Sequence, residues 1–565
     1  TAFESSCRMP PNERQNAWRR SGDWPERTFL DDFFEQVRKD PRRAALVCYR
    51  KGLERPETVT YGQLGAMVDR MAMALIDLGV ERDDVVSIQL PNGWQFAVAA
   101  FAAARAGAVV NPLVTIFRRR ELEFMLGRAG SKVLIVADVF RGFQHASLGM
   151  ELKSALPSLE HVIVSSDLPG AAPAGAMSLE RDFLGHAWGR MPGRESTLAA
   201  RRRGGDEIAS LMYTSGTTGE PKGTLHAAST LWSSSRGVFE GLGLGAQDVG
   251  FMASPMGHLT GYLWGLLQPL SMGMTMIFQD SWDPARFLDV VAEERISWTI
   301  GATPFVVDSV AEQQRTPRAF DSLRLFVCAG APIPPTLSRA AHEVLGAKLI
   351  GQWGTSECGG VTIHRPDDSI EAVAASDGHV LPFMELKLLD EQGREVERGL
   401  EGQLFARGPS VFVGYIGRRD LYDAVVDAEG WFDTGDLGVQ RPDGSIRIRG
   451  RAKDIIVRGG ENVPVVEVEN LLLEHPKVDR VAVIGVPDFR LGERGCAVIV
   501  PRDADAPTLA ELTSFLEARG MAKQYWPELL VVRDSLPYTP TGKIQKFLLR
   551  DELASLGDAA AQAAP

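Results

Sequence analysis

The stretch LMYTSGTTGEPKGT at 211–224 sets four hydroxyls, Thr214, Ser215, Thr217 and Thr218, among Gly216, Gly219 and Gly223, and closes the loop with Lys222. Small side chains leave backbone N–H groups free to wrap a polyphosphate, with the lysine as a point charge. The apolar run Ile208 to Tyr213 reads as a strand feeding this loop. It is not a Walker A loop, because the Gly-Lys-Ser/Thr ending is missing.

Four more segments follow in order. In GQWGTSECGG (351–360), Glu357 can hold Mg²⁺ against phosphate oxygens, and Trp353 offers a flat face to a base. The same residues also read as a Gly-rich turn with a surface glutamate. In GWFDTGDLG (430–438), Asp433 and Asp436 suit a metal, acid–base work or sugar hydroxyls, or else cap a tight turn. IRGRAKDIIVRGGENVPVVEVEN (448–470) carries Arg449, Arg451, Lys453 and Arg458, then Gly459-Gly460, then an amphipathic helix. A solvated charge run ahead of a helix has the same composition. LPYTPTGKIQKFLLR (536–550) presents Lys543 on a Pro/Gly loop, where a lysine can stabilise charge developing in a transition state. Most lysines, however, simply face water.

The elements that must position these groups alternate. Residues 60–80 read as a helix capped by Thr60 and stopped by Gly79, followed by a buried strand at 85–90, a helix at 94–106 and a strand at 108–110. The rhythm returns at 262–350, with strands expected near 275–278, 298–300, 323–328 and 348–350. Continuous apolar strands between helices imply α/β layers, here two subdomains within the first 370 or so residues. From about 380 to 450, short strands and turns at Gly393 and Asp443-Gly444 predict a small β-barrel-like unit. Helices at 465–474 and 509–518, with strands at 478–486, 496–500 and 529–533, predict a small α+β C-terminal domain.

The chain has 565 residues and a formal net charge of −12, which argues against non-specific nucleic-acid binding. Five scattered cysteines without metal-ligand spacing fit a reducing cytoplasm. No signal peptide or membrane span is read; the most apolar stretch, 96–104, is too short to cross a bilayer.

Together the five segments resemble the adenylate-forming superfamily of acyl-CoA synthetases, peptide-synthetase adenylation domains and luciferases, over about 28–555. SPMGHLTGYLWG (254–265), GATPF (301–305), VRGGEN (457–462) and the GKIQKFLLR ending look most like medium-chain, alicyclic and cyclohexanecarboxylate CoA ligases. NAWRRSGDWPERTF (16–29) is similar to aryl-acid adenylating enzymes that load a carrier-protein phosphopantetheine.

The resemblance implies an N-terminal adenylation domain over 1–450, a hinge at 451–453 centred on Lys453, and a mobile C-terminal domain over 454–565. It implies ATP, Mg²⁺ and coenzyme A as cofactors and a medium-chain, alicyclic or aromatic carboxylic acid as substrate. Thr214 to Gly219 with Lys222 would cradle the β- and γ-phosphates. Gly330-Ala331-Pro332 and Trp353 would flank adenine, with Gln352, Gly354 and Thr355 beside them. Glu357 would bind Mg²⁺, Ser356 phosphate, and Asp436 with Arg451 the ribose. Lys543 would bridge carboxylate and α-phosphate during adenylation, while Arg458, Gly459 and Gly460 would line the pantetheine path. His258 would stand beside the carboxylate, and Gly301, Ala302, Thr303 and Cys328 would wall the acyl pocket. Where the superfamily commonly has Tyr-Gly-x-Thr-Glu, this chain has Trp353-Gly354-Thr355-Ser356-Glu357. A homodimer and a lysine acetyltransferase acting at Lys543 complete the implied partners.

Overall fold

The computed structural model describes residues 13–166, 172–186, 188, 193–214, 221–329, 333, 335–451, 456–458, 461–488, 492–519, 521, 523–538 and 543–553. It is a mixed α/β structure with a large N-terminal domain and a small C-terminal domain. Two sheets dominate the large domain. One has eight strands, from Gly414–Tyr415 at one edge through Lys222–Ala227, Ile208–Thr214, Val109–Pro112, Val85–Gln89, Val133–Ala137 and His161–Ser165 to Met177–Ser178. The other has nine, with a parallel centre built from Lys348–Thr355, Leu325–Ala329, Trp298–Gly301, Val249–Met252, Thr275–Gln279 and Ala44–Tyr49.

Strand periodicity explains how the sheets pack. Leu46 and Cys48 face the core shared by both sheets, while Val47 and Tyr49 face a second core on the other side. In the eight-stranded sheet Ile88 and Ile135 face the shared core, whereas Val85, Leu134 and Val136 face outward into a third. Both faces are therefore covered, which is why these strands read as continuous apolar runs. Between the sheets lie helices Tyr61–Asp77 and Trp94–Arg105. The first starts at a capping box of Thr60 and Gln63, and Gly79 beyond it sits at φ +85°. The second is buried from Phe96 to Ala103, as a helix apolar on every side must be.

Two features differ from the sequence expectation. Ala44–Tyr49 and Glu57–Thr60, which precede the first α/β unit, pair into the nine-stranded sheet beside Thr275–Gln279. Pairing across that separation leaves no local trace. The helix expected near 262 is a π-helical segment, Thr260–Leu267, whose wider turn periodicity alone does not separate from an α-turn.

The small β unit is an antiparallel run of four strands, Glu385–Leu389, Glu401–Arg407, Phe432–Gln440 and Ile446–Arg451. The C-terminal domain is a five-stranded sheet around the long pair Val478–Asp488 and Gly492–Pro501, with helices Val465–Leu473 and Leu509–Ala518 packed on it. Of the expected hinge, Arg451 ends a strand and Lys453 lies outside the described residues. Among the described residues, no helix is long and apolar enough to cross a membrane.

Candidate active site

Strand Ile208–Thr214 turns back antiparallel into Lys222–Ala227, with Thr214 opposite Lys222, so both ends of the hydroxyl-rich loop are fixed. Ser215, Gly216, Thr217, Thr218 and Gly219 lie outside the described residues. Gly223 is needed beneath the loop: a Cβ there would come within 2.7 Å of Ile416 and Leu211 side-chain atoms. The Lys222 ammonium lies over the Tyr415 ring, 5.5 Å from its centroid. Tyr415, almost fully buried, donates its hydroxyl to Glu357 Oε1 at 2.9 Å. The expected phosphate lysine and the expected metal carboxylate thus share one aromatic neighbour. Sequence reasoning missed Tyr415, and its position between two glycines in VGYIG is the only local signal.

The turn carrying Glu357 is pinned from three sides. Glu357 N–H donates to Thr355 Oγ1 (3.2 Å), its carbonyl accepts from Phe412 N–H (2.6 Å), and the Ser356 carbonyl accepts from His226 Nε2 (2.7 Å). A carbonyl only accepts, so the proton of neutral His226 sits on Nε2. Burial pushes the His226 pKa down to about 4, keeping the ring neutral. His226 was also missed; a lone histidine inside a strand carries no motif.

The two aspartates of 430–438 divide the alternatives left open by sequence. Asp433 caps its own turn, accepting from Gly435 N–H at 2.9 Å and Gln403 Nε2 at 2.8 Å. Asp436 is buried and accepts from Trp353 Nε1 at 3.0 Å. The tryptophan that replaces the usual tyrosine therefore supplies an N–H to the carboxylate expected at the ribose. Arg451 is the cross-strand partner of Asp436.

Trp353, Gln352, Gly354, Thr303 and Asp436 line a cleft of about 680 Å³, and Lys543 of the C-terminal domain lines it from the opposite side. His258 is half-buried, and Thr260 N–H approaches its Nδ1 at 3.5 Å. Burial, with the Lys543 charge adding to it, lowers the His258 pKa to about 4, so the ring is a neutral hydrogen-bonding group. The two residues are thereby placed within electrostatic reach of each other.

On the expected acyl wall, Thr303 Oγ1 lies 3.5 Å from Cys328 Sγ, and burial raises that thiol to about 12, so it is an inert packing group. A Cβ on Gly301 would meet the Phe305 ring at 2.8 Å, and Ala302 precedes helix Thr303–Arg315. Arg458, expected on the pantetheine path, makes a bidentate pair with Glu528 at 2.9 Å for both bonds. Gly330, Ala331, Pro332, Gly459 and Gly460 lie outside the described residues. Among the described residues no cluster of three or more His, Cys, Asp or Glu forms a metal cage. A single carboxylate such as Glu357 still suits Mg²⁺, which keeps several waters and takes its remaining ligands from phosphates.

Fold and cleft together define a two-domain α/β enzyme whose polar groups gather where the domains meet. Residues 33–416 match the AMP-binding enzyme family and residues 467–543 the AMP-binding enzyme C-terminal domain, so the chain belongs to this adenylate-forming family of acid–thiol ligases. The medium-chain fatty-acid–CoA ligase of Escherichia coli (strain K12) is 33% identical over 96% of this chain and 93% of its own. The salicyl-AMP ligase / salicyl-S-ArCP synthetase of Mycobacterium tuberculosis (strain ATCC 25618 / H37Rv) is 33% identical over 95% and 92%. Among solved structures, an anthranilate CoA ligase in complex with anthranoyl-AMP is similar at a TM-score of 0.84, with 25% identity over 95% of this chain and 99% of that one. ATP-bound MatB from Rhodopseudomonas palustris is similar at 0.79, with 26% identity over 94% and 99%.

Proposed function

We propose that this protein is an ATP-dependent acyl-CoA ligase for a medium-chain, alicyclic or aromatic carboxylic acid. The observation that carries the reading is that Lys543 faces Asp436, Trp353 and Gly354 across one interdomain cleft. In the first half-reaction a carboxylate oxygen attacks the α-phosphorus of ATP and pyrophosphate leaves. Lys543 neutralises charge on the carboxylate and α-phosphate oxygens, the loop at 214–219 with Lys222 holds the β- and γ-phosphates, and Asp436 with Arg451 holds the ribose. Glu357 would hold Mg²⁺, which supplies charge neutralisation on the phosphates. Neutral His258 would hydrogen-bond the acid. In the second half-reaction the CoA thiol attacks the acyl carbonyl and AMP leaves.

A thiol needs a different face of the site from the one closed by Lys543. Rotation of the C-terminal domain about 451–453 would provide it, bringing Arg458, Gly459 and Gly460 toward the pantetheine. Acetylation of exposed Lys543 would delete the charge the first step uses. The four cysteines among the described residues are free and buried, which suits a reducing cytoplasm.

One observation favours a second reading, transfer to a carrier-protein phosphopantetheine: the salicyl-S-ArCP synthetase is as similar as the fatty-acid ligase. The deciding experiment offers the protein Mg-ATP, CoA and a mixture of short, medium, branched, alicyclic and aromatic acids, with thioesters read by mass spectrometry. One dominant acyl-CoA is expected. Pyrophosphate release without any acyl-CoA would replace the ligase with the carrier-loading reading.

A further inference from the structure

Two elements grip the turn that carries Glu357. The loop running from Gly408 to Tyr415 is the first. Ser410, fully buried, donates its hydroxyl to the Cys358 carbonyl at 2.7 Å. Phe412 N–H reaches the Glu357 carbonyl at 2.6 Å, and the Tyr415 hydroxyl reaches the Glu357 carboxylate at 2.9 Å. One loop thus holds the turn at three points. Helix Ala228–Gly241 is the second element. Its Ser234 hydroxyl accepts from Gly360 N–H at 2.9 Å, and a Cβ on Gly359 would collide with that same hydroxyl.

A segment from much earlier in the chain ties the two grips together. Ser233, next to Ser234, donates to the Asp23 carbonyl. Trp24, 5% exposed, donates its indole N–H to the Pro409 carbonyl at 2.7 Å, 385 positions away. Adjacent residues, Asp23 and Trp24, therefore bridge helix and loop. Their own place is fixed. Arg19 pairs with Asp206 at 2.6 Å, and its guanidinium lies 5.8 Å from the centroid of the Trp24 ring. The Trp18 ring packs on Trp24 with centroids 5.4 Å apart, and a Cβ on Gly205 would collide with the Pro25 carbonyl. Pro409 has no N–H with which to anchor the start of the loop, so its buried carbonyl is the group available for that. A buried carbonyl that loses its donor is costly, and the loop would shift to pair it.

We propose that Trp24 is a positioning residue for the metal carboxylate: its N–H anchors the loop at Pro409, and the loop sets where Glu357 meets Mg²⁺. Groups that orient a ligand tune metal affinity although they never touch the metal. The inference rests on the reading of Glu357 as the Mg²⁺ carboxylate of an adenylating site.

Trp24→Phe keeps a ring and removes the donor, and two readouts test it. Mn²⁺ stands in for Mg²⁺ on oxygen ligands. It is titrated by electron paramagnetic resonance onto the protein holding α,β-methylene-ATP. Pyrophosphate release is then followed against Mg²⁺ with the acid mixture. The Mn²⁺ dissociation constant and the half-saturating Mg²⁺ should each rise about fivefold, as loss of one buried hydrogen bond predicts. Thioester formation from supplied acyl-adenylate should not change. Ser410→Ala breaks the next link and should move both metal constants the same way. The double variant should then move them by less than the product of the single shifts, because both residues act through one loop. Where Trp24→Phe does not fold, benzothienylalanine at position 24 replaces it, exchanging the indole N–H for sulfur in the same shape. An altered protein that melts earlier with both metal constants unmoved would overturn the proposal. Equal losses in both half-reactions would overturn it too, as would single shifts that simply multiply. Pyrophosphate release that needs no divalent metal in the unaltered enzyme would instead remove the reading of Glu357.

Discussion

On the N-terminal wall of the cleft three polar groups are held by buried or half-buried donors: Trp353 on Asp436, Tyr415 on Glu357, His226 on the Ser356 carbonyl. On the C-terminal side Lys543 is exposed, and other charges there are paired with one another. Lys546 pairs with Glu469 at 2.7 Å and Arg458 with Glu528 at 2.9 Å, while Arg449 reaches across to Glu467 at 3.5 Å. Buried donors aimed in advance cost no reorganisation when charge develops, which suits a wall that never changes. Of these ion pairs only Arg449–Glu467 is well exposed and joins the two domains, and such a pair stabilises weakly and re-forms easily, as a wall that separates would require. Rigidity and exchangeability are thus divided between the domains. Each substitution below targets one side of that division.

The largest effect is expected on the exchangeable wall. Lys543→Ala should lower pyrophosphate release about a hundredfold to a thousandfold, as loss of one aimed charge-stabilising donor does. Thioester formation from supplied acyl-adenylate should be spared. Equal losses in both half-reactions would show that the two walls do not divide the work.

In the N-terminal domain burial keeps three histidines neutral. His226, His258 and His145 each have a pKa lowered to about 4, chiefly by burial, against an ordinary value of 6.5. Between those values the unfolded chain binds more protons than the folded one. Stability is therefore fully present above about pH 6.5 and is lost as pH falls toward 4. Melting temperature measured from pH 7.5 to 4.5 should fall steeply through this window, and His226→Gln should flatten part of the slope. A flat profile would mean that these rings are protonated in the folded state.

Tyr415→Phe keeps the ring under Lys222 and removes the donor to Glu357. Hydrogen bonds to charged groups contribute about 1.5–3 kcal/mol, so kcat/KM for Mg-ATP should drop at least about tenfold. Steady-state kinetics at several Mg²⁺ concentrations would check it, and an unchanged value would mean that Glu357 does not need Tyr415. Trp353→Phe likewise keeps an aromatic face and removes one donor, here from Asp436. KM for ATP should rise about fivefold, with kcat little changed, as loss of about 1 kcal/mol predicts. The preference for ATP over 2′-deoxy-ATP should shrink with it, since an unanchored carboxylate reads the ribose less well.

How much of this was legible depended on range along the chain. Helix Trp94–Arg105 and the strands around it were readable because burial on all sides leaves an unbroken apolar run. Glu357, Asp436 and Lys543 stand out in the sequence because each sits in a short stretch of glycine, threonine and charge. Tyr415 and His226 do not, because each acts through residues far along the chain: 58 positions separate Tyr415 from Glu357, and 130 separate His226 from Ser356. The division of labour between Asp433 and Asp436 was undecidable for the same reason. Only the hydrogen bonds from Gly435 and Trp353 separate a turn cap from a cleft carboxylate.

The smallest effect sharpens the comparison most. Arg449 ends its reach at Glu467, on the first helix of the C-terminal domain, so this pair spans the two walls on either side of 451–453. Both side chains are well exposed, at 38% and 54%, so the pair should contribute less than about 1 kcal/mol and weaken with salt. Glu467→Gln should therefore leave melting temperature almost unchanged. If the C-terminal wall separates before thioester formation, a contact made only in this arrangement opposes that separation. Its loss should then leave pyrophosphate release nearly constant and quicken thioester formation up to about threefold, measured in single turnovers at low salt. An equal effect on both half-reactions would mean that Arg449 and Glu467 stay together throughout, and that the moving boundary lies elsewhere.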